Sequence, residues 1–239
     1  MLVEVCANSL QSALNAQDAG ADRIELCSEL GVGGVTPSYG LIRCVKEKLS
    51  IPIHVLIRPR SGHFSYSETE LKVMLADIDS CKEAGVNGIV AGILGKSHSI
   101  DWEHTATLIE RAKPLHFTFH RAFDWVENPE LSLKQLEELG VNAVLTSGRY
   151  ETALEGLDRL CNWQNATSMT IMAGGGIRPE NAIEFKKGGL KAIHLSGTTF
   201  VNNVGMDKKI PMNSEKHLSE HQVAVTNRDV IRQTIQRIK

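Results

Sequence analysis

The chain reads as an α/β protein, a single (β/α)8 TIM barrel, and two observations predict it. A phrase made of a helix end, a glycine and a short apolar strand recurs four times, at residues 18–26, 83–91, 138–145 and 187–195. Glycine fits there because the residue that closes a helix often takes a positive φ. Eight short apolar runs also alternate with amphipathic stretches over 239 residues. That pattern makes a parallel sheet of strand–helix units, and eight units close a barrel. An open doubly wound sheet is the competing arrangement. Its dinucleotide-binding form needs glycines in the first strand–helix turn, which here is Cys6-Ala7-Asn8-Ser9.

In order, strands are expected near residues 2–6, 23–27, 53–57, 88–92, 115–119, 142–146, 169–173 and 192–196. Helices are expected around 9–19, 38–49, 68–84, 101–112, 129–139, 151–162, 179–187 and 227–238. Thr226 and Asp229 have the spacing of a capping box for the last of them. One domain, residues 1–239, then holds everything, with a long irregular and polar loop at about 202–225 before the last helix. Loops of that length are commonly lids or mobile connections.

Composition removes several function classes. The chain is 42% hydrophobic and 23% charged with a formal net charge of -2, so there is no global basic field to attract nucleic acid. No apolar run approaches the roughly eighteen residues of a membrane span. The first residues carry neither the basic nor the apolar region of a secretory signal. Five cysteines, an odd number without CxxC pairs, suit a reduced, cytoplasmic protein. Cys44, Cys81 and Cys161 fall on helical stretches and read as structural. Nothing in the composition decides between a monomer and a homo-oligomer.

The densest chemistry lies at residues 118–124, where an apolar strand ends and His120, Arg121 and Asp124 follow within five residues. In a barrel the C-terminal strand ends carry the active groups. Reading the other ends adds Glu4 and Cys6, Glu25 and Cys27, His54 and Arg58, Thr146 and Ser147, Gly174, Gly175 and Gly176, and Ser196. Side chains alternate along a strand, so Glu4 shares a face with Cys6, Glu25 with Cys27, and His54 with Arg58. Inward-facing, the two carboxylates would form one layer and the two thiols the layer above. Buried carboxylates need partners, and Arg58, Arg121, His54 and His120 are the expected ones. Such a network serves either to fix the barrel or to do acid–base work, with His120 titrating near neutrality. Two convergent thiolates suit Cu(I), whereas zinc would call on a third ligand such as His54. The glycines after strand seven, with Ser196 after strand eight, occupy the place where barrels hold phosphate.

Two features carry less. His217 and His221 have helical spacing, but the glutamate between them is not in the metalloprotease position. The loop from Arg58 to Phe64 is basic and aromatic but too short for a nucleic-acid surface.

Seven motifs stand out together: Glu4-Val5-Cys6, Ala21-Asp22-Arg23-Ile24-Glu25-Leu26-Cys27, Gly33-Gly34-Val35-Thr36-Pro37-Ser38, Ile57-Arg58-Pro59-Arg60, the stretch 118–124, Leu145-Thr146-Ser147-Gly148 and Met172-Ala173-Gly174-Gly175-Gly176-Ile177-Arg178. In order and in register, from residue 2 to about 200, they resemble the copper homeostasis protein CutC family. The resemblance implies a (β/α)8 barrel and a cytosolic copper role, with Cys6 and Cys27 as the Cu(I) ligands. One departure is local: where the family reads Arg-Pro-Arg-Gly-Gly-Asp-Phe, this chain has Ser61 and His63.

Two readings follow. The first is a cytosolic copper-homeostasis protein binding Cu(I) through Cys6 and Cys27. The alternative is a metal-independent barrel enzyme for a small phosphorylated or carboxylated substrate. In it His120, Glu4, Glu25 and Asp124 would be catalytic. Arg58, Arg121, His54, Thr146, Ser147, Gly174, Gly175, Gly176 and Ser196 would hold the anion. The expected partner is a copper ion or a small anionic ligand, with no organic cofactor, nucleic acid or membrane.

Overall fold

The structure, a computed structural model, describes residues 1–95, 97–202, 210 and 222–239. It opens with β1 (Leu2–Ala7), α1 (Leu10–Asp18), β2 (Arg23–Leu26), α2 (Tyr39–Lys48), β3 (Ile53–Leu56), α3 (Glu68–Ala84) and β4 (Gly88–Ala91). It continues with α4 (Trp102–Ala112), β5 (His116–Phe119), α5 (Pro129–Glu138), β6 (Ala143–Thr146), α6 (Leu157–Ala166), β7 (Thr170–Gly174), α7 (Ala182–Lys187) and β8 (Ala192–Leu195). A two-stranded antiparallel sheet, β9 (Thr198–Val201) with β10 (Val223–Thr226), precedes α8 (Arg228–Ile238). Strands β1 to β8 are parallel neighbours in chain order, and β8 pairs with β1 to close the barrel.

The recurring glycines act as expected: Gly20, Gly85, Gly140 and Gly189 all have φ between +72° and +92°. Helix starts are set by side chains that take up free amides. Ser9 caps α1, Ser38 caps α2, and Ser67 with Glu70 forms a full capping box on α3. At α8 the cap is Asn227, whose Oδ1 accepts the amides of Asp229 and Val230. Thr226 therefore does not cap. Its carbonyl accepts Asn15 Nδ2 and its amide donates to Ser12 Oγ, because Thr226 ends β10 against α1.

Two helices start later than the sequence pattern suggests. Residues 151–156 form turns, in which the Glu155 carboxylate accepts the Thr152 amide and hydroxyl. Helix α6 begins only at Leu157, and α7 only at Ala182. The region 202–225 is not irregular throughout, since β10 occupies its end. His217 and His221 lie outside the described residues.

The main core lies between the sheet and its jacket of helices, and holds Val3, Val5, Ile24, Leu26, Ile53 and Val55 from the first three strands. Alternation sends their neighbours inward: Glu4 and Cys6, Arg23 and Glu25, His54 and Leu56. Two small apolar clusters line the interior, Cys6–Cys27–Leu56–Val90 on one wall and Leu145–Met172–Ala192 on the other. On β4 the inward positions on either side of Val90, Gly88 and the following Gly92, are glycines for a reason. A Cβ on Gly88 would stand 2.6 Å from the His54 ring, and the same 2.6 Å separates a Cβ at the following Gly92 from His120 Nδ1. Missing side chains on β4 make room for two imidazoles from its neighbours.

Candidate functional site

The barrel register sets the floor of the site. Cys6 stands opposite Glu25, and Glu4 opposite Arg23. This stagger overturns the simple stacking of a carboxylate layer under a thiol layer. It also changes the partners of the buried acids. Arg23 Nε donates to Glu4 Oε2 at 2.5 Å, and His194 Nδ1 lies 2.8 Å from Glu4 Oε1. His194 Nε2, on the far side of the ring, is 3.7 Å from Glu25 Oε2. His194 therefore bridges two carboxylates, while Cys6 Sγ and Cys27 Sγ meet at 3.4 Å.

The charges on this floor follow from burial and pairing. Burial alone would raise Glu4, which is wholly enclosed. The His194 hydrogen bond and the charges of Arg23, His194 and His54 outweigh that and hold its carboxyl at about 2. Glu25 is raised, by burial first and by repulsion from Glu4, against the pull of His194. Burial opposes charge on His194, yet Glu25 and Glu4 together raise its imidazole. The Cys6 thiol is pushed well up by its hydrogen bond to Cys27, by burial and by Glu25. At neutral pH the floor holds an ionised Glu4, a histidine favoured in its charged form, and a protonated thiol.

His54 belongs to this floor and not to an anion subsite. Its Nδ1 is 3.9 Å from Glu4 Oε2 with no hydrogen bond, and its ring packs on His116 at 4.8 Å. Burial holds His54 at about 3 and His116 at about 4. Both are neutral spacers.

Above the floor a cavity of about 690 Å³ opens at the C-terminal strand ends. Cys6, Glu25 and His194 lie at its base, and Leu56, Phe64 and Leu145 along its walls. Arg121, Gly175, Gly176, Arg178 and Ser196 also line it. The charged groups of the lining are the guanidiniums of Arg58, Arg121 and Arg178, the raised His194, and the carboxyls of Glu25 and Glu180.

Several sequence-predicted residues turn out to be committed elsewhere. Arg58 NH1 donates to the carbonyls of Val32 and Gly34, and NH2 to that of Gly62. It ties two loops together and reaches neither carboxylate. Arg121 is also no partner of the floor acids, since its Nε donates to Asp124 and its NH2 to Ser147 Oγ. Asp124 accepts further from Thr146 Oγ1 and from the amides of Ser147 and Arg149. Asp124, Thr146 and Ser147 form a clamp that pins the loop after β6 to the end of β5. Thr146 and Ser147 are wholly buried and outside the cavity. Residue His120 does line it, but burial and the Arg58 charge hold its imidazole at about 3. The expectation of a near-neutral titration is therefore corrected.

The glycine loop stands well ahead of α7, so no helix N-terminus faces the cavity there. Gly175 and Gly176 take φ of +111° and +73°. A Cβ on Gly175 would come within 3.3 Å of Arg121 NH1, so only glycine lets that guanidinium lie over the loop. Among the described residues the Gly175 and Gly176 amides have no protein acceptor. Gly174 lies below them, packed against Leu145. His63 points away, its Nδ1 accepting the Ser65 amide.

His194, Arg23 and Arg178 are the residues that strand-end reading passed over. The signal for the first two was the period-two alternation already used for Glu25 and Ser196. Both sit within apolar strand phrases and not at a loop. The donor atoms of Cys6, Glu25 and His194 lie within 4.8 Å of one another, and Cys27 touches that group through Cys6.

An eight-stranded parallel barrel with a cavity over a histidine–carboxylate floor defines the class: a TIM-barrel protein. The family is equally plain. The CutC family profile matches residues 1–199, and the chain belongs to that family. A relative from Pasteurella multocida, described as a family protein CutC, is 47% identical over 200 residues, 82% of each chain. A crystal structure from Streptococcus agalactiae, named for copper homeostasis and CutC, superposes with a TM-score of 0.79 at 33% identity. That match covers 82% of this chain and 98% of the other. A thiamine phosphate pyrophosphorylase from Pyrococcus furiosus matches at TM-score 0.62, over 99% of this chain and 95% of its own, but at 14% identity it shows the barrel alone. Among the described residues no helix is long and apolar enough to cross a membrane.

Proposed function

We propose that the cavity binds a small phosphorylated or carboxylated organic molecule and that Glu25 and His194 perform acid–base chemistry on it. One observation carries this reading. His194 is held by Glu4 at 2.8 Å through Nδ1, while Nε2 is turned toward Glu25 at the cavity floor. A carboxyl raised by burial and an imidazole raised by two carboxylates stand side by side at the cavity floor, the kind of pairing that acid–base chemistry uses. The acid–base role thus moves from His120 to His194, and Glu4 orients and charges that ring. Arg121 NH1, the amides of Gly175 and Gly176, and Ser196 supply the anion end. A ligand that binds only the folded state raises thermal stability. The test is thermal denaturation across a panel of small phosphorylated and carboxylated metabolites, repeated with Arg121→Ala. At least one compound should raise the midpoint by several degrees in the parent and by much less in the variant. No shift anywhere in the panel contradicts the proposal.

A second reading, Cu(I) binding in a cytosolic copper-homeostasis role, is favoured by one contact, the 3.4 Å approach of Cys6 Sγ and Cys27 Sγ. Two thiolates suit a soft monovalent ion, and the family's copper name points the same way. Opposing it, Cys27 is wholly enclosed and the Cys6 thiol holds its proton strongly, whereas a metal-binding cysteine must give up its proton. A Cu(I) competition titration on reduced protein, beside Cys6→Ser with Cys27→Ser, decides it. Tight one-to-one binding lost in the double variant supports copper; binding indifferent to both cysteines removes it.

A further inference from the structure

We infer that the anion end of the cavity is a phosphate monoester subsite, and that Arg178, on the loop after β7, is one of its binding residues. This rests on the ligand reading of the cavity and narrows it from phosphorylated or carboxylated to phosphorylated.

The two glycines of that loop offer donors and no free acceptor. Their carbonyls are engaged by protein: Gly175 O accepts the Ala153 amide at 2.9 Å, and Gly176 O accepts Asn181 Nδ2 at 2.8 Å. Their amides have no acceptor among the described residues, and both glycines line the cavity. Asn181 also fixes the far side of the loop, its Oδ1 accepting the Arg178 amide at 2.9 Å. The loop is thus tied down through its acceptors, and a ligand that meets its donors has little left to order.

Arg121 adds donors from the end of β5. Nε is held by Asp124 at 2.8 Å and NH2 by Ser147 Oγ at 2.9 Å, so the guanidinium is fixed in place. NH1 has no protein acceptor among the described residues, and a Cβ on Gly175 would stand 3.3 Å from it. Arg178 lines the same cavity, and among the described residues its guanidinium makes no ion pair or hydrogen bond. Glu180, the carboxylate of this loop, also lines the neighbouring groove with Gln236 and Arg237 and so stands at the rim.

Donor number and charge select the anion. Arg121 NH1 and the two amides supply enough N–H groups to fill a carboxylate, whose two oxygens offer about four lone-pair sites. The Arg178 fork would then be left without an acceptor. A phosphate monoester gives it one, with three acceptor oxygens and about −1.5 to −2 of charge.

The probes are two matched pairs, propyl phosphate with butyrate and phenyl phosphate with benzoate, titrated into the intact protein by calorimetry at neutral pH. Each phosphate should bind at least about tenfold more tightly than its carboxylate, the effect of one strong charge-assisted hydrogen bond. Arg178→Ala should weaken the phosphates about tenfold and leave the carboxylates nearly unchanged. Arg178→Lys, which keeps the charge without the fork, should recover part of that loss. Arg121→Ala should weaken both members of each pair. Arg237→Ala, in the neighbouring groove, should change neither, which separates a built subsite from general positive charge. Carboxylates that bind as tightly as their phosphates, or phosphate binding indifferent to Arg178, overturn this inference and leave the cavity reading standing. If no probe binds and nothing in the metabolite panel stabilises the protein, the cavity reading falls and this inference with it.

Discussion

The end of β5 and the floor of the barrel hold similar side chains and use them in opposite ways. At the end of β5, His120, Arg121 and Asp124 are neighbours in the chain, and two of them are absorbed locally. Asp124 accepts from Arg121, Thr146, Ser147 and Arg149, so these charges fasten one loop to another. On the floor, Glu4 and His194 are 190 residues apart and meet only because β8 closes against β1. Chemistry dense in the chain built a clamp; chemistry scattered through it built the histidine–carboxylate floor. Barrel closure, a tertiary event, gathers groups that no local motif displays.

Acid should expose this difference most strongly. Three histidines are held below their ordinary 6.5: His54 and His120 at about 3 and His116 at about 4. The unfolded chain binds their protons first as pH falls below 6.5, so each lowers stability by about 1.4 kcal/mol per pH unit down to its folded value. Two of the three face Glu4 and Arg23 on the floor, and one faces Arg58 at the mouth. The raised Glu25 works in the other direction, since it binds its proton more readily in the folded state. Urea denaturation at pH 7 and pH 5 should show a lower midpoint at pH 5. The His54→Phe, His116→Phe double variant should flatten that dependence more than His120→Phe does.

Next in size is removal of the floor's anion. Glu4→Ala takes the buried Arg23's carboxylate away and leaves His194 with Glu25 alone, and breaking a buried ion pair from one side costs roughly 3–5 kcal/mol. Asp124→Ala should cost less, about 1.5–3 kcal/mol, because Arg121 is partly exposed and regains water. Chemical denaturation of both variants measures the contrast. Equal losses would erase the distinction between clamp and floor.

Most of the fold could be read in the sequence because its signals are local. Glycine at four helix ends and apolar runs of four to six residues placed every barrel strand to within one residue. Helix α6 was misplaced because Thr152 and Glu155 imitate a helix start while closing a turn on themselves. The approach of Cys6 to Cys27 was legible from alternation along adjacent strands. The stagger that sets Cys6 beside Glu25 was not, because relative strand register is decided by packing around the whole barrel. His194 carried the same alternation signal as Ser196, but it lay inside an apolar strand and not at its end. Arg58 misled for the reverse reason. It stands at a strand end, yet three loop carbonyls occupy its donors.

The most direct test sets the cavity against the thiol pair in one protein. Thermal denaturation with the phosphorylated and carboxylated metabolite panel is measured for the parent, for Arg121→Ala and for Cys6→Ser with Cys27→Ser. The account predicts at least one stabilising compound for the parent, a much smaller shift in Arg121→Ala, and the shift retained in the cysteine variant. No shift in the parent, beside tight Cu(I) binding that the cysteine variant loses, would contradict it and make the thiol pair the functional centre.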